Sequence, residues 1–535
     1  MDSHKRDRSL ITGFLHSLHA RPDHLALELG EQRFTYAQLW ERAARIARAL
    51  NDCLAPAAPL VALLASRSAT AYAAILGILA AGRGYVPLNP KFPADRTLSM
   101  LAASGCKVVI LGAECEGAAK AILAQIREKI TAPIVWILPD AVYTLSKLDF
   151  APHHVIAARD MNAMVESSEP RVNRDSIAYL LFTSGSTGVP KGVAISQQNV
   201  SSYLEYIARK YGINPHDRCS QNFDLTFDLS VHDLFTCWDA GAALCPFPEQ
   251  TLVPVSLITE KDLTVWFSVP SVAMFASKLS MLEPNAFPSL RLSLFCGEAL
   301  SARLAGAWEQ AAPRSIVENL YGPTEATIAI SHYRWDTKKS PTECVRGIVP
   351  IGWIFDGQDS CVVDDNLSPL PTGESGELCL AGSQVAGGYL NDPTRTRQQF
   401  VQIPGSNRPR WYRTGDLVKK DHRGCIYYLG RIDHQVKISG YRVELQEIEQ
   451  VLREAAGTET AVAVPWPLSD GTASGIVAVI AGADHVEDNY IIKSCAARLP
   501  KYMVPTRIYR FADLPLNVSG KIDRPKITAV LSSMD

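Results

Sequence analysis

The feature that most constrains this chain is an alternation. Up to about Gly430, short apolar runs take turns with segments of helical period. Runs at 60–64, 85–88, 107–111, 134–138, 176–182, 265–268 and 291–295 are almost continuously hydrophobic, the pattern of strands covered on both faces. Between them, 69–81 and 116–130 carry helical patterns. Such a rhythm predicts an α/β fold, with helices packed on largely parallel sheets. After Gly430 the texture changes. Strands at 435–438, 461–464 and 476–480 are mixed with a helix at 491–499 and an amphipathic helix at 444–455, whose Leu445, Ile448 and Leu452 share one face. That predicts a separate α+β unit of about 100 residues. The expected organisation is a large N-terminal core over 1–432 and a small, mobile C-terminal lid over 433–535.

Composition removes several classes. Lys and Arg total 53 against 55 acidic residues, a net charge of −2, so no basic excess points to nucleic acid or an anionic membrane. The longest apolar stretch, 69–82, falls short of the roughly 20 residues a membrane helix needs. The segment 1–18 has no long apolar core and does not read as a secretory signal. The twelve cysteines form no C-x-x-C pair, and His153 and His154 lack metal-ligand spacing. A cytoplasmic monomer with reduced, buried thiols is expected.

The chemistry concentrates in one string. The strand at 178–182 runs into Thr183-Ser184-Gly185-Ser186-Thr187-Gly188-Val189-Pro190-Lys191-Gly192. Its glycines let the backbone approach an anion closely, while four hydroxyls and a lysine supply donors to phosphate oxygens. It is not a Walker loop, because Pro190 precedes the lysine and Gly192 follows it. Gly82-Arg83-Gly84 does not complete a dinucleotide fingerprint either, since Pro87 occupies the third glycine's place.

The string resembles the phosphate loop of adenylate-forming enzymes: acyl-CoA synthetases, luciferases and amino-acid adenylation domains. Further stretches resemble that family's motifs, in order along the chain: Phe34-Thr35-Tyr36-Ala37-Gln38-Leu39, then Gly84-Tyr85-Val86-Pro87-Leu88-Asn89-Pro90, with Asn89 where Asp is typical. Asn319-Leu320-Tyr321-Gly322-Pro323-Thr324-Glu325, Gly376-Glu377-Leu378, Tyr412-Arg413-Thr414-Gly415-Asp416-Leu417 and Gly430-Arg431-Ile432-Asp433 follow. The series closes with Leu499-Pro500-Lys501-Tyr502-Met503-Val504-Pro505 and Gly520-Lys521-Ile522-Asp523-Arg524.

The resemblance implies ATP and Mg²⁺ as cofactors and assigns roles. Thr183, Ser184, Gly185, Ser186, Gly188 and Lys191 would face the phosphates, with Thr187 catalytic beside them. Gly297, Glu298, Ala299, Asn319, Gly322 and Thr324 would complete the nucleotide site, Tyr321 stacking on adenine and Glu325 holding Mg²⁺. Asp416 would accept hydrogen bonds from the ribose hydroxyls, with Arg431 on the same nucleotide. Lys521 would bridge the substrate carboxylate and the α-phosphate, two anions that need a cation between them. Asp433 would be the hinge on which the small domain swings between two half-reactions.

Substrate class turns on Phe227-Asp228-Leu229-Ser230. In amino-acid adenylation domains the aspartate of this pair holds the α-ammonium, which is expensive to bury bare. The family's pocket positions correspond to Asp228, Leu229, His232, Phe267, Leu294, Cys296, Leu320, Ile328, Ala329 and Lys521, of which Phe267, Leu294, Leu320 and Ile328 make a compact apolar wall for a small amino acid. Its likeness to prolyl-adenylate ligases favours L-proline, and its likeness to D-alanine–carrier-protein ligases keeps alanine as the alternative. An acyl-CoA synthetase for a small carboxylic acid is the rival reading. With the sequence ending 11 residues past Arg524, transfer is expected to go to the phosphopantetheine thiol of a separate carrier protein, as in nonribosomal peptide and antibiotic biosynthesis.

Overall fold

The structure is a computed structural model of the 535-residue chain. It describes all residues except 1–7, 55–57, 141–147, 162–169, 171, 185–189, 249–250, 252, 434, 439, 459, 470–471, 474, 482–485, 516–521 and 535. Gly185, Ser186, Thr187, Gly188 and Lys521 therefore lie outside the described residues.

Two large sheets carry the α/β part. In the first, His154–Ala157, Val135–Leu138, Val108–Leu111, Leu60–Leu64, Gly84–Leu88 and Ile177–Thr183 run parallel side by side, and Lys191–Ser196 closes the edge antiparallel to Ile177–Thr183. The second has a parallel centre, Ile316–Tyr321, Leu292–Phe295, Val265–Ser268, Arg218–Gln221, Ala243–Pro246 and Leu25–Leu29. Antiparallel strands cap both of its edges. One continuous core joins the sheets through helices Tyr36–Cys53 and Ala69–Ala80: Val61, Leu63 and Ile110 on one side, Leu27, Leu244 and Leu294 on the other. Helix Ala69–Ala80 is apolar almost all round because it is covered all round. Ser68 starts it by accepting a hydrogen bond from the Ala71 N–H.

The motif at 34–39 does structural work. Thr35 and Gln38 form a reciprocal capping box at the start of helix Tyr36–Cys53, and the Tyr36 hydroxyl donates to the Ala242 carbonyl at 2.8 Å. Asn89 donates to Asp224 at 2.6 Å and joins the first sheet to the loop before Asp228.

A third sheet departs from the parallel rhythm. Asp359–Val363, Ser375–Ala381, Trp411–Lys420, Phe400–Val401 and Ile426–Arg431 pair antiparallel. Sequence pattern does not anticipate it, because Arg413, Gly415 and Asp416 break the apolar alternation of its longest strand. From Gln435 onward the described residues build two smaller sheets and three helices, Leu445–Ala456, Asp488–Arg498 and Arg524–Met534, around cores of their own. Helix Asp488–Arg498 begins three residues before the expected 491, its first turn being polar and silent in an apolar count. Among the described residues no helix is long and apolar enough to cross a membrane. Of the cysteines, only Cys53, Cys344 and Cys361 are partly exposed, and none is in a disulfide.

Candidate active site

At the carboxyl ends of the parallel strands a cavity of roughly 340 Å³ opens where the three sheets meet the hairpin Gln435–Ile438/Tyr441–Glu444. This is where open α/β sheets place ligands. Its wall includes Thr183, Ser184, Asp228, Leu229, Cys296, Gly297, Glu298, Ala299, Asn319, Leu320, Tyr321, Gly322, Thr324, Ile328, Asp416 and Arg431, all singled out from sequence. A larger open depression, of roughly 580 Å³, is lined by Arg33, Phe34, Arg42 and Arg45 and holds none of them.

One wall is a polar cluster centred on Asp416. Asp416 accepts from the Tyr321 hydroxyl at 2.5 Å and from Arg431 at 2.8 Å. Arg431 also donates to the Thr414 carbonyl at 2.8 Å and to both carboxylate oxygens of Asp433, at 2.9 and 2.5 Å. These bonds overcome burial and hold the Asp433 carboxyl below its ordinary range. Gly415 makes the cluster possible: its φ is +70°, and a Cβ there would stand 2.7 Å from the Arg431 guanidinium. Asn319 donates to the Pro350 carbonyl at 3.0 Å, leaving its buried side-chain oxygen without a partner among the described residues. The buried Thr183 hydroxyl is likewise unpartnered.

Glu325 lies just behind the wall, 0% exposed. It accepts from the Tyr389 hydroxyl at 2.9 Å and pairs with Lys191 at 3.1 Å and Arg442 at 3.0 Å. Burial opposes its ionisation, but the charges of Arg442 and Lys191 prevail and depress its pKa. Burial and Arg442 in turn lower the Lys191 ammonium to about 8. Among the described residues no group of three His, Cys, Asp or Glu could hold a metal alone. Glu325 is the carboxylate that would hold Mg²⁺, with substrate phosphates supplying further ligands as is usual for this ion, once the Arg442 guanidinium that now pairs with it has moved away.

Asp228 opens helix Asp228–Asp239 and accepts from the Ile328 N–H at 3.1 Å. Burial raises its pKa to about 6, and no cation pairs with it among the described residues. The turn that brings Ile328 to it is strained: Thr327 and Ile328 both have positive φ, +59° and +71°. Gly322 allows the turn to fold in, since a Cβ there would meet Ala329 Cα at 2.5 Å. Gln384, fully buried, pins the turn by donating to the Ala329 carbonyl at 2.8 Å, while Thr327 donates to the Gln384 carbonyl at 2.5 Å.

Of the other described pocket positions, His232, Phe267, Leu294 and Ala329 are buried and are not among the residues that line the cavity. His232 is hydrogen-bonded to Tyr203 at 2.6 Å, and its ring centroid lies 4.3 Å from that of Phe267. Burial drives the imidazole down to about 3, so it is neutral. Leu229, Cys296, Leu320 and Ile328 line the cavity together with Asp228. Residues given no role from sequence also line the cavity: Phe92, Arg96, Lys437, Tyr441, Arg442 and, within the motif at 499–505, Tyr502. Gln384, Tyr389 and Arg442 act through long-range contacts, which leave no periodic signal.

Fold and cavity together define a nucleotide-dependent ligase. The family model described as AMP-binding enzyme matches residues 14–390. The chain is 33% identical over 528 residues to tyrocidine synthase 3 of Brevibacillus parabrevis, covering 98% of this chain but only 8% of that much longer protein. It is 30% identical over 521 residues to a D-alanine–D-alanyl carrier protein ligase of Bacillus velezensis, covering 95% of this chain and 96% of the relative. The solved Vibrio cholerae adenylation domain AlmE, in complex with glycyl-adenosine-5'-phosphate, superposes with a TM-score of 0.87 at 34% identity and 98% coverage of both chains. The chain belongs to the AMP-binding enzyme family. It is an adenylate-forming ligase of the amino-acid-activating kind.

Proposed function

We propose that this enzyme activates glycine or alanine as the aminoacyl-adenylate and passes the aminoacyl group to the phosphopantetheine thiol of a carrier protein. One observation carries the substrate reading. Asp228 is a buried carboxylate with no cation beside it among the described residues, and it lines the same cavity as the apolar side chains of Leu229, Leu320 and Ile328. Such a carboxylate calls for an ammonium, and such an apolar lining for a small side chain without a second charge. Sequence likeness favours proline, with alanine as its alternative. The relatives named for D-alanine and glycyl adenylate support the smaller substrates.

In the first half-reaction a substrate carboxylate oxygen attacks the α-phosphorus of ATP, and the bond to the pyrophosphate oxygen breaks. Asp228 orients the ammonium, Asp416 accepts from the ribose, and the free oxygen of Asn319 accepts from the adenine amino group. Lys521 supplies the cation between the two anions, and Lys191 that on the leaving phosphates. Mg²⁺, held at Glu325, would neutralise phosphate charge. In the second half-reaction the thiolate attacks the mixed anhydride and AMP leaves. We place the division between the two domains at 432/433, with Asp433 as the hinge, and the enzyme in the cytoplasm, in a nonribosomal peptide or related pathway. Pyrophosphate exchange measured across the common amino acids, D-alanine and small fatty acids tests the proposal. Glycine or alanine should dominate. Dominance of proline would overturn the choice of glycine or alanine, and exchange driven by fatty acids would overturn the amino-acid reading.

A further inference from the structure

Arg442 belongs to the hairpin of the C-terminal part, 117 residues from Glu325, yet its guanidinium meets both carboxylate oxygens of Glu325, at 3.0 and 3.3 Å. The neighbouring backbone is seated with it. Ser184 donates to the Arg442 carbonyl at 2.6 Å, the Gly440 N–H donates to Glu298 at 2.6 Å, and Tyr441 lies edge-on to Phe227 with centroids 4.6 Å apart. Lys191 and Tyr389 fill the remaining acceptor sites of Oε1. The Oε2 face of this wholly buried carboxylate therefore belongs to Arg442.

A divalent ion bound to Glu325 would need that same face. A guanidinium and a dication cannot share it, because they repel at close range in a buried setting where screening is weak. We infer that Arg442 and the magnesium ion occupy Glu325 in turn, so that Arg442 is a positioning residue that seats the hairpin only after metal and pyrophosphate have left. The inference rests on the proposed role of Glu325 in adenylation. It makes departure of the first product the condition for the second half-reaction's geometry, and it gives the hairpin a chemical sensor at its tip.

Hydrogen exchange on the full chain, read over the peptide 435–444, tests this without requiring turnover. In the wild type with chelator the hairpin amides should be protected; magnesium pyrophosphate should speed their exchange about 10-fold or more, and pyrophosphate with chelator much less. Arg442→Gln should exchange fast in all three conditions, Arg442→Lys should recover part of the protection, and Glu325→Gln should lose protection without adding to Arg442→Gln. Wild-type exchange indifferent to magnesium pyrophosphate, or protection that survives in Arg442→Gln, overturns the inference. In a second arm, Arg442→Gln should slow aminoacyl transfer from preformed adenylate about 10–100-fold while pyrophosphate exchange stays within about 3-fold. Equal loss in both half-reactions reduces Arg442 to a structural role. If no variant, nor the wild type, exchanges pyrophosphate with any amino acid, the proposed function fails, while the hydrogen-exchange result still decides the competition at Glu325.

Discussion

Asp228→Asn should separate recognition of the α-ammonium from everything else the site does. Asparagine keeps the shape and can still accept from the Ile328 N–H, now 3.1 Å away, but carries no charge. Burial holds the carboxyl at about 6 rather than 3.8, so the ionised form is disfavoured in the empty site by about 3 kcal/mol. A substrate ammonium relieves that penalty and forms a charge-assisted hydrogen bond, worth about 1.5–3 kcal/mol net. Loss of roughly 2–3 kcal/mol from the transition state corresponds to about 30–150-fold in kcat/KM for the amino acid. The sign of the pH effect follows from the raised pKa. Below about 6 the free enzyme carries a neutral Asp228, so wild-type kcat/KM should fall as pH drops through that value, while the variant should lack this limb. Amino-acid-dependent pyrophosphate exchange between pH 5 and 8 reads both effects, with the KM for ATP as the internal control. The desamino acid, acetate for glycine or propionate for alanine, should be used equally poorly by both forms. An equal loss for amino acid and desamino acid would falsify the reasoning, and Asp228 would then be only the support of the Ile328 turn.

Three other perturbations address other parts of the site. Lys521→Ala should lower adenylation by about 10²–10³-fold yet leave transfer from preformed adenylate nearly intact; parallel losses in single-turnover assays of the two steps would remove Lys521 from its role. Gly415→Ala forces a Cβ to within 2.7 Å of the Arg431 guanidinium at a φ of +70°, strain of about 1–3 kcal/mol. The KM for ATP should rise about 10-fold with that for the amino acid unchanged, and an unaltered ATP KM refutes the link from Gly415 to the Asp416–Arg431 cluster. Gln384→Leu leaves the Ala329 carbonyl without its donor and should destabilise the fold by about 1–3 kcal/mol in denaturant titrations, together with a selective loss of amino-acid affinity. Unchanged stability would mean that the strained turn holds itself.

Much of the scaffold was legible because burial on both faces leaves an unbroken apolar signal: the runs at 60–64 and 265–268 are strands in the structure. The antiparallel sheet was not, because its central strand, Trp411–Lys420, spends alternate positions on Arg413, paired with Glu377, and Gly415, and a further one on Asp416, bonded to Arg431. The motif at 34–39 could be matched by resemblance, but its physical content, a helix cap with a tyrosine anchored to Ala242, emerged only from contacts 206 residues apart.

What the sequence determined by itself is whatever depends on neighbours in the chain. The order of buried strands, the glycines and hydroxyls after Thr183, and the contiguous stretches from Asn319 to Thr324 and around Asp416 all read locally; of these, Thr183, Ser184, Asn319 to Thr324 and Asp416 line one cavity. Tertiary structure alone decided which pocket positions face the cavity. His232, Phe267, Leu294 and Ala329 share segments with residues that do, yet they are buried in close packing and do not line it. It also decided the partners of Glu325. Lys191, Tyr389 and Arg442 converge on that carboxylate from three distant segments, and a buried charge selects whichever cations the folded chain can bring to it.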